Sequence, residues 1–108
     1  MRIRARFNGK NDATLHHGNC LELLARIPDH AAQLVVTSPP YNVRKEYEER
    51  LTIEEYIDLQ RLVFAECVRI VKAGGSICWQ VGHHINGHNQ IIPLDLLLYP
   101  VFAIHIAT

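Results

Sequence analysis

The residues best equipped for chemistry are Ser38, Pro39, Pro40 and Tyr41, in the run Thr37-Ser38-Pro39-Pro40-Tyr41-Asn42. They bring together a hydroxyl, carbonyls on residues with no N–H of their own, and an aromatic face. A planar ring bearing an exocyclic amine fits such a set. The hydroxyl and a carbonyl accept the amine's hydrogens, and the ring stacks on Tyr41. The run follows directly on the apolar Gln33-Leu34-Val35-Val36. Neither proline can donate to a sheet ladder, so a strand entering this run must stop and leave as a stiff, extended turn. Pro-Pro-Tyr also occurs in proline-rich ligands, but those lie in polar, disordered tracts rather than at the end of an apolar strand.

The elements that must position this turn can be read from the spacing of apolar residues. Ile3, Ala5 and Phe7 alternate with arginines, which predicts a short strand, and Asn8-Gly9-Lys10-Asn11-Asp12 is turn chemistry. Thr14 to His17 reads as a second short strand. Asn19 then caps a helix through Leu21-Glu22-Leu23-Leu24-Ala25-Arg26, which Pro28-Asp29-His30 ends. Gln33 to Thr37 is a compact, β-branched run expected to be a central parallel strand. Thr52 and Glu55 form a capping box for a helix carrying Ile53, Tyr56, Ile57, Val63, Phe64, Cys67, Val68 and Val71 at helical spacing. Gly74-Gly75 reads as the stop of that helix, and Ser76 to Val81 as the next strand. Gly82 to Gln90 is expected to be a polar loop, Ile91 to Tyr99 a helix with Pro93 in its first turn, and Ala103 to Ala107 the opening of a further strand. Strands alternating with helices predict an α/β fold with a mainly parallel sheet and flanking helices. In such sheets ligands sit at the carboxyl ends of strands, where Ser38 lies.

Composition excludes several classes. The chain has 108 residues, room for one small domain, and 48% hydrophobic residues, which argues against disorder. Lys plus Arg and Asp plus Glu both number 11, so net charge exerts no general pull toward nucleic acid or membrane. Arg2, Arg4, Arg6 and Lys10 make a basic start, read as a solvated strand face. Cys20, Cys67 and Cys78 are odd in number and widely spaced, so they are expected to be reduced, at or near the core, in a cytoplasmic protein. The apolar stretch from Ile91 to Ile106 is broken by Pro93, Asp95 and Pro100 and does not read as a membrane span. His83, His84 and His88 lie in a segment where Gly82, Asn86 and Gly87 favour a loop, and no acidic ligand stands close by, so no metal site is expected. Trp79 and Tyr99 read as core residues. The charged run from Arg44 to Arg50 reads as a solvated loop.

Three segments in order carry a resemblance. Gly18-Asn19-Cys20-Leu21-Glu22-Leu23-Leu24, then Gln33 to Asn42, then Lys72-Ala73-Gly74-Gly75-Ser76-Ile77 are similar to the N-terminal part of the DNA amino-methyltransferases. These enzymes methylate N4 of cytosine or N6 of adenine with S-adenosylmethionine. The resemblance implies a partial Rossmann-like methyltransferase fold acting on a base flipped from double-stranded DNA, in a restriction-modification or phage setting. It also implies that Ser38 and the Pro39 carbonyl hold the target amine, that Pro40 stiffens the turn and that Tyr41 stacks on the base. Methyl transfer would be direct, with no cysteine nucleophile, and Arg44 and Lys45 could gate the substrate. Many adenine-N6 members carry Asp where Ser38 stands. Serine is frequent in cytosine-N4 members and occurs in adenine members too. The position of Asn19 is often Asp in the family, where it helps hold the cofactor's adenosine; a plain helix cap explains Asn19 equally well.

One departure qualifies the resemblance. The family's Phe-x-Gly-x-Gly turn, which approaches the methionine part of the cofactor, is absent from this sequence. Where the motif order begins as it does here, that turn comes after the DNA-recognition region. The expectation is therefore that residues 1–108 are the N-terminal part of a catalytic domain, inactive alone, with a complementing chain or a dimer as possible partner. Two further readings stay open: a non-catalytic remnant or half of a split enzyme acting as an interaction module, and a methyltransferase acting on protein glutamine or an RNA amine.

Overall fold

The computed structural model describes residues 1–39, 52–81, 83–85, 91–93, 98–100 and 102–103. Its elements run β1 (Ile3–Arg4), β2 (Ala13–Thr14), α1 (Cys20–Leu24), β3 (Ala32–Thr37), α2 (Ile53–Ile70), β4 (Val71–Trp79), β5 (His83–Ile85) and β6 (Ile91–Pro93). Among the described residues β1 pairs with β2 and β3 with β4, both in parallel, while β5 pairs with β6 in antiparallel fashion. The unit that positions the candidate site is β3–α2–β4, two parallel neighbours joined through a helix.

Local chemistry starts α2 as expected. Glu55 N donates to Thr52 Oγ1 at 3.1 Å, and Thr52 N donates back to Glu55 Oε1 at 3.2 Å. The buried face of the helix is Tyr56, Gln60, Phe64, Cys67 and Ile70, steps of three and four that keep one stripe facing inward. That stripe packs on β4. Trp79 meets Phe64 edge-on with ring centroids 5.5 Å apart, and Phe102 stacks on Phe64 at 4.0 Å. Tyr56 and Leu98 form the most deeply buried pair, with Ile57, Val81 and Phe102 packed around them.

Register in the β3–β4 ladder decides which side chains face α2. Val35 pairs with Ile77 and Thr37 with Trp79, and these four are half-buried. Their neighbours point to the other face, where Leu34 is 55% and Val36 69% exposed.

Several expectations are corrected here. The helix does not stop at Gly74-Gly75: it ends at Ile70, Val71 is already extended, and both glycines lie inside β4. The ladder slips there, because β3 advances from Ala32 to Leu34 while β4 advances from Val71 to Ser76. The excess residues form a bulge in which Gly74 takes φ 81°, a conformation open to glycine. The loop expected from Gly82 contains β5, and the helix expected from Ile91 begins instead as β6, with helical residues at 98–100. The β-branched pair Ile91-Ile92 suits a strand, and Pro93 sits at its end, where no further ladder donor is needed. Ala103 is helical rather than the start of a strand. Of the early strands only Ile3–Arg4 and Ala13–Thr14 form. Cys67 is buried, but Cys20 and Cys78 are exposed and not core. Tyr99 is 68% exposed and is not core either, whereas Trp79 is half-buried in the aromatic cluster.

Candidate active site

Ser38 stands at the carboxyl end of β3, one residue past the last strand position. The ladder closes there with Gln80 N donating to the Thr37 carbonyl at 2.9 Å. Pro39, half-buried, carries no N–H to continue it. The strand therefore stops for the reason its sequence supplies, and Ser38 leaves the sheet with its side chain exposed. Its hydroxyl donates to Oε1 of Gln80 at 3.3 Å. Gln80 follows Trp79, the partner of Thr37, so the carboxyl ends of β3 and β4 lie side by side and present Ser38 and Gln80 together. Pro40 and Tyr41 lie outside the described residues, as do Arg44, Lys45 and His88.

Asn19 is placed elsewhere, at the N-cap of α1. Its Oδ1 accepts from Leu21 N at 2.9 Å, and its backbone oxygen meets the His16 ring at 3.1 Å. The preceding Gly18 has φ 147°, which lets the chain turn into the cap.

Among the described residues, a Cβ on Gly75 would strike Val71 and the Gln33 carbonyl and one on Gly18 would meet His16, so these two glycines are held by packing, while Gly9 and Gly74 border open space. No helix among the described residues is long and apolar enough to cross a membrane.

Cys67 does not offer a nucleophile. Burial, reinforced by Cys20 and Glu66 close by, pushes its thiol up to about 11, so it stays protonated at neutral pH. A largely apolar cavity of about 740 Å³ beside β4 is lined by Phe64, Val68, Ile77, Trp79 and Phe102, with His30, Lys72 and Ser76 as its polar lining.

Gln80 is the site residue that sequence reasoning missed. The signal was available: a polar residue directly following an apolar strand, at the end of a parallel sheet where ligands gather. What the sequence could not say is that this strand end lies next to Ser38 rather than elsewhere in the sheet.

Comparison with known proteins agrees with the geometry. Residues 32–106 match the N6/N4 methyltransferase family model, described as DNA methylase. The chain is 42% identical over 88 residues to the type II methyltransferase M.BglII of Bacillus subtilis and 40% identical over 90 residues to M.ScaI of Streptomyces caespitosus. It is 35% identical over 99 residues to the DNA adenine methyltransferase YhdJ of Escherichia coli K12. These alignments cover 82%, 82% and 89% of this chain, but only 24%, 30% and 32% of the relatives. A crystal structure of an assigned DNA modification methylase from Thermus thermophilus superposes with a TM-score of 0.66 at 26% identity, covering 96% of this chain and 38% of that one. The α/β unit with Ser38 and Pro39 at its strand end is thus part of a methyltransferase fold, and the chain belongs to the N6/N4 DNA methylase family.

Proposed function

We propose that the chain supplies the amine-holding part of a DNA amino-methyltransferase, which transfers a methyl group from S-adenosylmethionine to N4 of cytosine or N6 of adenine. The observation that carries this reading is the placement of Ser38 at the carboxyl end of β3, exposed and beyond the last ladder bond. There its oxygen and the Pro39 carbonyl can each accept one amine hydrogen. Holding both hydrogens draws the nitrogen lone pair out of conjugation with the ring and aims it at the methyl donor, so geometry does the work of a strong base. Tyr41 stacks on a base flipped from double-stranded DNA, and Pro40 keeps the turn stiff. The cofactor brings an electrophilic methyl group, and Asn19 lies at the helix start where the family holds the adenosine.

The experiment is mass spectrometry of nucleosides from DNA of cells producing the chain together with a polypeptide that completes the catalytic domain, since the chain spans about a quarter to a third of its relatives. N4-methylcytosine or N6-methyladenine should rise above the background of cells lacking it, and Ser38→Ala should lower that rise by about a hundredfold. An unchanged yield in Ser38→Ala would remove Ser38 from the site. The family description and the Escherichia coli relative both name DNA, which favours DNA over an RNA amine or a protein glutamine.

A second reading is favoured by the exposed apolar pair Leu34 and Val36 on the open face of the β3–β4 ladder. The chain spans about a quarter to a third of its relatives. In this reading it is half of a split enzyme, and that face packs against the complementing polypeptide. Recovery of methylation only on co-production with such a polypeptide, lost in Leu34→Asp, would establish it.

A further inference from the structure

We propose that Gln80 is a positioning residue for Ser38: its amide oxygen takes the Ser38 hydroxyl hydrogen, so that the Ser38 oxygen faces a substrate amine only as an acceptor. The inference rests on the reading of Ser38 given above and adds the device that makes it work.

A serine hydroxyl has one hydrogen and two lone pairs, and it rotates freely. Left alone it can face an amine in either sense. As a donor it would bind the amine's lone pair, the same electrons that must attack the methyl group. As an acceptor it takes an amine hydrogen and leaves the lone pair free. Only the second orientation serves the reaction, so the hydroxyl hydrogen needs a fixed acceptor elsewhere. Gln80 Oε1, 3.3 Å from Ser38 Oγ, is that acceptor. A carbonyl oxygen cannot donate, so the direction of the bond is set.

The placement of Gln80 is held from both sides. Its backbone N–H donates to the Thr37 carbonyl at 2.9 Å, directly before Ser38. Its neighbour Trp79 is anchored by Gln60 at 3.0 Å and by edge contacts with Phe64 and Phe102. The two partners thus ride on adjacent strand ends of one parallel pair, although 42 positions separate them in the chain. Pro39 and Pro40 cannot do this, since neither offers a polar side chain.

The test is an NMR titration of the 108-residue chain with cytidine, adenosine and uridine, the last presenting an oxygen where cytidine presents its amine. The unsubstituted chain should bind cytidine or adenosine more tightly than uridine. Gln80→Leu should shrink that preference about fivefold, the worth of one hydrogen bond. Gln80→Met serves the same purpose should Gln80→Leu fail to fold. Gln80→Glu keeps an acceptor oxygen and should restore the preference, which a merely structural role would not require. In a Ser38→Ala background, Gln80→Leu should have no further effect. Full preference in Gln80→Leu overturns the role of Gln80 and leaves Ser38 in place. An equal loss in the Ser38→Ala background overturns action through Ser38. No preference for the amine in the unsubstituted chain overturns the reading of Ser38 itself, and this inference with it.

Discussion

Trp79 donates its indole N–H to Oε1 of Gln60 at 3.0 Å, across the seam between β4 and α2. Gln60 is only 3% exposed and sits within the apolar stripe of the helix, between Tyr56 and Phe64. A buried amide at such a position is tolerated because it satisfies the one polar atom of the neighbouring indole. The bond also orients Trp79 against Phe64 and Phe102, and so supports the strand end that carries Gln80.

Gln60→Leu should therefore destabilise the chain, although it adds an apolar residue to an apolar face. The indole N–H would be left without its acceptor, at about 1–3 kcal/mol. Urea unfolding followed by tryptophan fluorescence measures it; a more stable Gln60→Leu would show that the pair contributes nothing.

The bulge at Gly74-Gly75 predicts an asymmetry between neighbours. Gly74→Ala should cost about 1–2 kcal/mol, because φ 81° is disfavoured for a residue with a Cβ while nothing lies within 4 Å of it. Gly75→Ala should cost more, since its Cβ would fall 2.6 Å from Val71 Cγ1 and 2.7 Å from the Gln33 backbone oxygen. Thermal unfolding of the two variants decides it, and equal losses would contradict the tight contact of the bulge with β3.

Arg69 ties the end of α1 to α2. Its guanidinium donates to the Leu24 carbonyl at 2.6 Å, the Ile27 carbonyl at 2.8 Å and Asp29 Oδ1 at 2.8 Å, while Glu66 holds it from its own helix at 2.9 Å. Bonds to Glu66 and Asp29 raise its already high pKa, so it stays charged throughout. Arg69→Lys keeps the charge but loses the fork, and should speed hydrogen exchange in α1 nearly as much as Arg69→Met. Full protection in Arg69→Lys would mean that charge alone holds the contact.

Cys67 gives the chain an alkaline limit. Its folded pKa is raised from 9.0 to about 11 by burial, so the native state keeps a proton that the unfolded state gives up first. The contribution is fully present below pH 9, declines as pH rises and is lost through pH 11. Cys67→Val should flatten this decline in melting temperature between those limits. At pH 8 in native conditions a thiol reagent should label the exposed Cys20 and Cys78 and spare Cys67 until the chain unfolds; prompt labelling of Cys67 would contradict its burial.

By itself the sequence determined those features whose causes lie within a few residues. The Thr52–Glu55 capping box, the Asn19 cap and the exit of β3 into Ser38-Pro39 all formed as their local chemistry requires. The apolar stripe of α2 was legible because a helix repeats its geometry every few residues. The motif order through Ser-Pro-Pro-Tyr was enough to name the family. Tertiary structure decided what depends on partners distant in the chain. Gly74-Gly75 reads locally as a helix stop, yet it became a strand bulge because Val71 had already paired with Ala32. Ile91-Ile92-Pro93 became a strand because β5 was there to pair with it. Cys20, Cys78 and Tyr99 look like core residues by type, but which face of an element is covered depends on what packs against it. Gln80 is an ordinary polar residue until strand pairing sets it beside Ser38. Hydrogen-bond direction and side-chain proximity belong to the packed chain, and no local pattern encodes them.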